Sequence, residues 1–330
     1  MADNPRERRS SAPLVERSSG AGVTAAGRVR RRFSLLTRRD KLVLALMIGI
    51  PLFLDLVLIW GTTIASVLLS FTNWNGIPPI TDKNIIGLKN YENLFNAYPF
   101  FWPALQHNVL WLAVLMFIAT PIGILFAVLL DREMRGTRIY QSILYLPVVL
   151  SLAIIGFIWQ LQYAPEQGFI NNILGRTGEA GDGPLIPWLG DPSLNIWAVL
   201  VAASWRHVGY VMVLYLAGLK SVDPTLREAA KVDGASERQT FFRVVFPVMA
   251  PINVVIVVVT VIESLRAFDI VYIINRGKNG LELLSTLITN NSISESNRVG
   301  FGSAIAVVLL VISLVPIVLF LTRMMREDRA

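Results

Sequence analysis

The sequence predicts an all-α integral membrane protein with six transmembrane helices, and three observations predict it. Of the 330 residues, 54% are apolar and 16% charged, against about 45–50% and about 25% in soluble chains. Six apolar runs reach about the 20 residues that cross ~30 Å of hydrocarbon as a helix. The Lys and Arg residues outside those runs alternate in density: 11 in 1–41, 3 in 131–138, 5 in 220–243 and 3 in 323–330, against 2, 1 and 4 in 71–108, 162–193 and 263–298. That alternation is the one the positive-inside rule requires, and it places both termini in the cytoplasm. The net charge of +7 is thereby a topology signal and no reason to expect nucleic acid as a partner.

The N-terminal tail, 1–41, is rich in Arg, Ser, Gly and Ala with little to bury, which predicts a disordered basic anchor beside an anionic leaflet. Its end, RRRFSLLTRRDK, loosely imitates a twin-arginine export signal. The apolar run that follows is too long for such a signal and no small-residue cleavage site closes it. The six spans are expected at 42–70, 109–130, 139–161, 194–219, 244–262 and 299–322, one membrane domain over 42–322, with a short cytoplasmic end at 323–330. Pro247 and Pro251 lie near the start of the fifth span, where neighbouring helices can satisfy the carbonyls they free. The chain has no Cys, so disulfides and thiolate metal sites are excluded. Its two His residues, His107 and His207, give no reason to expect a metal.

Between the fourth and fifth spans the polarity changes abruptly. The loop 220–247 contains EAAKVDGASERQTFFRVVFP over 228–247. Asp223 is a natural N-cap with Pro224 at the first helical position. Good helix formers follow, Gly234 permits a turn that residues with a Cβ adopt at a cost, and Ser236 can cap a second helix. Two short helices at an angle are expected on the cytoplasmic surface. That shape suits something gripped from the cytoplasm, and it equally suits a plain hairpin joining two spans.

The residues of this loop carry a resemblance. Glu228, Ala229, Ala230, Asp233, Gly234, Ala235, Phe241 and Pro247 fall where the EAA…G loop falls in the inner-membrane permease subunits of binding-protein-dependent ABC importers. IGLKNYENLF (86–95), LYLPVV (144–149), GFINNIL (168–174), PWLGDP (187–192), LAGLKSVDPTLREAA (216–230) and FDIVY (268–272) look like the carbohydrate branch of that family, in the same order. The resemblance covers about residues 42–322.

It implies a type I ABC importer permease fold in a bacterial inner membrane. It also implies a subunit that moves a sugar or oligosaccharide by alternating access without hydrolysing ATP. The implied partners are a homologous second permease subunit, a dimeric ABC ATPase that holds ATP and Mg, and an extracytoplasmic solute-binding protein. The chain itself contains no G-x-x-x-x-G-K-[ST] phosphate loop, and no cofactor is expected on it. The eight loop residues are the implied ATPase-coupling set. After FDIVY, relatives commonly continue with a T-x-G-G-P turn, whereas this chain has INRGKNG at 274–280, which leaves cargo and binding-protein docking there unassigned.

Ionisable groups inside spans are candidates for the cargo path, because leaving one unpaired in lipid costs ~3 kcal/mol or more. Asp55 and Arg206 lie at matched depth, roughly 20 Å from the cytoplasmic ends of the first and fourth spans, and can pair with each other. Such a pair either fixes helix packing or belongs to the sugar path. Trp205 beside Arg206 offers an indole face for a sugar or for packing. Glu263, Phe268, Asp269 and Tyr272 follow the fifth span and join planar hydrogen-bonding groups to aromatic rings, as sugars require, though a solvated helix end explains them too. An ion-coupled secondary transporter or channel, with Asp55, Arg206 and Glu263 as coupling charges, is the alternative function. The EAA loop separates the two, since a secondary transporter has no ATPase to receive it. No nucleophile–base or metal-ligand constellation suggests an enzyme.

Overall fold

The computed structural model describes residues 37–77, 79–132, 135–178, 182–294 and 297–327. Most of the tail at 1–41 and the last residues of 323–330 fall outside that set. The chain divides into two units, 1–62 and 63–330.

The first unit carries most of helix α1 (Arg38–Leu69). Thr37 starts it through a reciprocal cap. The Asp40 amide donates to Thr37 Oγ1 at 3.2 Å, and the Thr37 amide donates to Asp40 Oδ2 at 3.0 Å, satisfying two donors that a helix start leaves free. Within this unit the apolar side chains of α1 are exposed, since among the described residues a single helix has no partner inside it to cover them.

In the second unit a short amphipathic helix, α2 (Lys89–Asn96), precedes α3 (Phe101–Asp131). α3 begins well before the apolar run at 109–130. Its first turns hold His107 and Asn108, which hydropathy counts against a span. The helix keeps them by giving them partners. Asn108 Nδ2 donates to the Ser264 carbonyl at 3.3 Å, its Oδ1 accepts from the Leu284 amide at 3.0 Å, and His107 Nδ1 lies 2.9 Å from the Glu282 carbonyl.

The expected third span is not one helix. α4 (Thr137–Val149) and α5 (Leu152–Gln162) meet at 101°. Leu150 is extended, and Ser151 caps α5 by accepting the Ile154 amide at 3.3 Å. After α6 (Phe169–Ile173) comes α7 (Asn195–Ser221), close to the expected fourth span. The loop follows as α8 (Pro224–Val232) and α9 (Glu237–Val248), then α10 (Ala250–Leu265) and α11 (Asp269–Asn275). The expected fifth span is likewise bent, by 76° between α9 and the α10–α11 stretch. The break falls at Met249, between Pro247 and Pro251; Pro251 lacks the amide that would bridge it to the Pro247 carbonyl. α12 (Leu284–Thr289) leads to α13 (Val299–Glu327), the sixth span. Among the described residues four helices are long and apolar enough to cross a membrane, and up to six spans result if each bent pair counts as one.

α7 is the most buried of these helices, and glycine explains how closely it packs. A Cβ on Gly123 of α3 would stand 2.8 Å from Val211 Cβ of α7, and one on Gly209 of α7 would stand 2.3 Å from the Leu144 carbonyl oxygen of α4. Both backbones approach nearer than any other residue allows, the usual way that membrane helices gain contact. One buried cluster joins Trp111, Leu115, Ile155, Val199 and Val271, and a second joins Ala127, Met212, Tyr215, Val245 and Met249 toward the α8–α9 loop.

Candidate functional site

The α8–α9 loop is built by local signals. The Asp223 carboxylate accepts the Thr225 amide at 2.9 Å, and this bond holds its pKa below the usual carboxylate range. At the far end of α8 the Ala235 amide donates to the Ala230 carbonyl at 2.9 Å and the Gly234 amide to the Lys231 carbonyl at 3.1 Å. These 6→1 and 5→2 bonds form a Schellman motif whose left-handed residue is Gly234, at φ +77°. The spacing from the alanine pair to the glycine in EAAKVDG is therefore that of a helix ending. A Cβ on Gly234 would meet nothing within 4 Å, so backbone conformation and not close approach demands glycine there. Ser236 then opens α9 with a capping box to Gln239, which donates its amide at 3.3 Å and accepts the Ser236 amide at 2.8 Å.

Of the expected coupling residues, Glu228, Ala229, Asp233, Gly234 and Pro247 are exposed, Ala235 is half-buried and Ala230 is buried. Phe241 is half-buried, with its ring 5.0 Å from Phe242 and 6.5 Å from Tyr215 of α7. The loop thus divides into an anchoring set facing the helices and a presented set facing away.

Two ion pairs that sequence reasoning missed tie this loop to the end of α3. Arg227 Nη1 lies 2.7 Å from Asp131 Oδ2, and Arg132 Nη2 lies 2.5 Å from Glu237 Oε2. Arg227 Nη2 also donates to the Leu219 carbonyl at 3.1 Å. The only hint of these contacts in the sequence was opposite charge at the edges of adjoining runs, with nothing to pair them.

A second constellation lies between the spans. Arg206 Nη1 is 3.2 Å from Glu263 Oε1, and His207 Nδ1 is 3.2 Å from Glu263 Oε2. Facing a carboxylate, Nδ1 is placed to donate to it. Nε2 lies 3.1 Å from Thr120 Oγ1 and 3.2 Å from Thr260 Oγ1, and the Thr260 hydroxyl donates to the Ile256 carbonyl at 2.7 Å. α3, α7 and α10 are joined in one polar network, and both oxygens of the half-buried Glu263 are engaged, which offsets the solvation it loses.

This network forms a wall of a cavity of about 390 Å³, lined by Trp111, Arg206, His207, Glu263, Arg266, Phe268 and Asp269 among others. The cavity brings together four of the sequence-predicted path residues: Arg206, Glu263, Phe268 and Asp269. Tyr272 backs it by stacking on Phe268 at 4.9 Å with the rings 23° apart. Trp205 does not line it; its ring packs edge-on against Trp159 at 5.9 Å. Asp55 belongs to the first unit, half-buried in α1. Within the second unit Arg206 has its carboxylate in Glu263. His207 and Thr120, which sequence reasoning left aside, complete the site. The cavity offers hydrogen-bond donors and acceptors of both signs beside an aromatic face.

Known proteins share this architecture. Residues 119–327 match the family described as binding-protein-dependent transport system inner membrane component. The probable ABC transporter permease protein YurN of Bacillus subtilis is 34% identical over 270 residues, covering 80% of this chain and 90% of that protein. The xylose/arabinose import permease protein XacH of Haloferax volcanii is 32% identical over 269 residues, covering 81% and 83%. A chain in the crystal structure of a bacterial ABC transporter involved in the import of the acidic polysaccharide alginate superposes with a TM-score of 0.74 over 91% of this chain and 99% of that one, at 23% identity. At that identity the likeness speaks to the fold. The ion-coupled alternative draws no support from these relatives. The chain belongs to the binding-protein-dependent transport system inner membrane components, and it is a membrane-spanning permease of an ABC importer.

Proposed function

We propose that this permease passes a sugar or small oligosaccharide through the Arg206–Glu263 cavity, and that the α8–α9 loop is the surface through which a separate ATPase drives it. The observation that carries the second part is the loop's construction. A Schellman turn at Gly234 presents Glu228 and Asp233 outward while Ala230 and Val245 stay buried, which makes a rigid projecting knuckle and not a slack connector. ATP binding by the partner would favour one of two packings of the spans, a population shift set by differential affinity. The assembly would contain this chain, a homologous second permease subunit, an ATPase dimer that holds ATP and Mg, and an extracytoplasmic binding protein. Both termini and the loop would then face the cytoplasm, in keeping with the Lys and Arg alternation.

A sugar cargo is supported by the name of the XacH relative and by the chemistry of the cavity. Sugars present hydroxyls to planar donors and acceptors and apolar faces to aromatic rings, and Arg206, Glu263 and Asp269 stand beside Phe268 there. The test is uptake of labelled neutral mono- and oligosaccharides by cells with and without this chain, in the presence of the intact importer. Sugar uptake that depends on both this chain and the ATPase is expected. Uptake confined to amino acids or ions would overturn the sugar reading, and transport that survives loss of the ATPase would overturn the coupling reading.

A further inference from the structure

We propose that Arg227 and Asp131 form a strut that transmits movement of the α8–α9 loop to the spans, a positioning role separate from the surface that meets the ATPase. The proposal rests on the coupling reading of the loop. Its basis is the number of elements that one side chain joins. Arg227 belongs to α8. One arm of its guanidinium is 2.7 Å from the carboxylate of Asp131, the last residue of α3, and the other donates at 3.1 Å to the carbonyl of Leu219 in the final turn of α7. That carbonyl is among the last four of the helix, which have no partner within it. A cation placed there also complements the negative end of the helix dipole. A planar fork can hold two acceptors at fixed angles, which a lysine cannot.

The pair is sheltered as well as connected. The side chains of Arg227 and Asp131 are 32% and 15% exposed, against 58% and 74% for the neighbouring pair Arg132–Glu237. Exposed pairs contribute little, so Arg132–Glu237 is a guide, and Arg227–Asp131 is the contact expected to bear force. The polarity of the two pairs is crossed: α8 supplies a cation to an anion at residue 131, and α9 an anion to a cation at residue 132. A one-residue slip of the loop along α3 would therefore set like charges together at one of the two places, Arg227 on Arg132 in one direction and Glu237 on Asp131 in the other. From Asp131, α3 runs about 16 Å, at ~1.5 Å per residue, to Thr120, which bonds His207 in the cavity network. Loop, span end and cavity wall are thus linked by one helix.

The experiment uses the whole importer in membrane vesicles and reads three quantities: ATPase co-purification, ATP hydrolysis and sugar uptake per ATP. Arg227→Ala is expected to retain the ATPase and its hydrolysis while uptake per ATP falls by about tenfold, the order expected for a charge-assisted hydrogen bond that is partly exposed. Asp131→Asn should do the same more mildly. Arg227→Lys should recover only part, having one point charge for two acceptors. Reversal of the pair, Arg227→Glu with Asp131→Arg, should restore more uptake than either change alone, which a merely structural defect would not. Unchanged uptake per ATP in Arg227→Ala overturns the strut. So does loss of the ATPase in that variant, which would put Arg227 in the socket itself. If Arg227→Ala does not reach the membrane, the Asp131→Asn and reversed variants decide by the same ratio. Gly234→Asp, run alongside, separates the two readings: full ATPase association and uptake there defeats the socket, whereas its failure beside a normal Arg227→Ala defeats the strut alone.

Discussion

Arg206 and Glu263 face each other at 3.2 Å, from α7 and α10, with His207 closing on the other carboxylate oxygen at 3.2 Å. Each charge is tolerable inside the membrane because the other is there. Breaking a half-buried pair from one side leaves a poorly solvated charge without its partner, whereas removing both charges leaves none. Arg206→Gln or Glu263→Gln alone should lower the folded yield in membranes several-fold. The double variant should recover part of that loss. Strictly additive losses, measured as detergent-stable protein, would show that the pair does not stabilise the fold.

Gly234 sits at φ +77° with open space around it. Gly234→Ala should therefore cost only the left-handed backbone, about 1–2 kcal/mol, and Gly234→Asn less, since its short polar side chain tolerates that region. Gly234→Asp adds a negative charge beside Asp233 and should loosen ATPase binding most. Co-purification in the order Gly, Asn, Ala, Asp checks this. An indifferent series would leave the loop a plain connector.

The cap on α8 should depend on pH. The Asp223 carboxylate titrates below its usual range because it accepts the Thr225 amide. A depressed folded-state pKa means the stabilisation is fully present above the ordinary carboxylate pKa and is lost as pH falls through the folded-state value. The protection of the α8 amides against hydrogen exchange, taken relative to the intrinsic rate at each pH, should fall on acidification through that range. Asp223→Asn, which keeps an acceptor without the charge, should abolish the dependence. Protection that does not change with pH in the natural chain would exclude this cap.

Topology can be read with single cysteines, since the natural chain has none. Ser193, exposed before α7, and Val232, 88% exposed at the end of α8, lie on either side of one span. In vesicles carrying the permease without its ATPase, Ser193→Cys should label from outside and Val232→Cys only from the cytoplasmic face. Labelling of both from one side would contradict the inside placement of the loop.

Much of this protein was determined by neighbours in sequence. Hydropathy located the long apolar helices because a span needs only an apolar composition over enough residues. Asp223, Gly234 and Ser236 announced the two-helix loop because each acts on amides and carbonyls within a few positions of itself. The bends at Ser151 and Met249 were less legible, since capping and proline signals inside an apolar run are read as tolerated until packing decides otherwise. Pairing was not legible at all. Within the second unit Arg206 is paired with Glu263, 57 residues along the chain, and Arg227 reaches Asp131 across 96. A charge in an apolar medium takes whichever counter-charge the packed helices bring within about 4 Å. That choice was left to the close approach of α3, α4 and α7 at Gly123 and Gly209, where side-chain volume in three dimensions sets the rotation of each helix and no one-dimensional pattern records it.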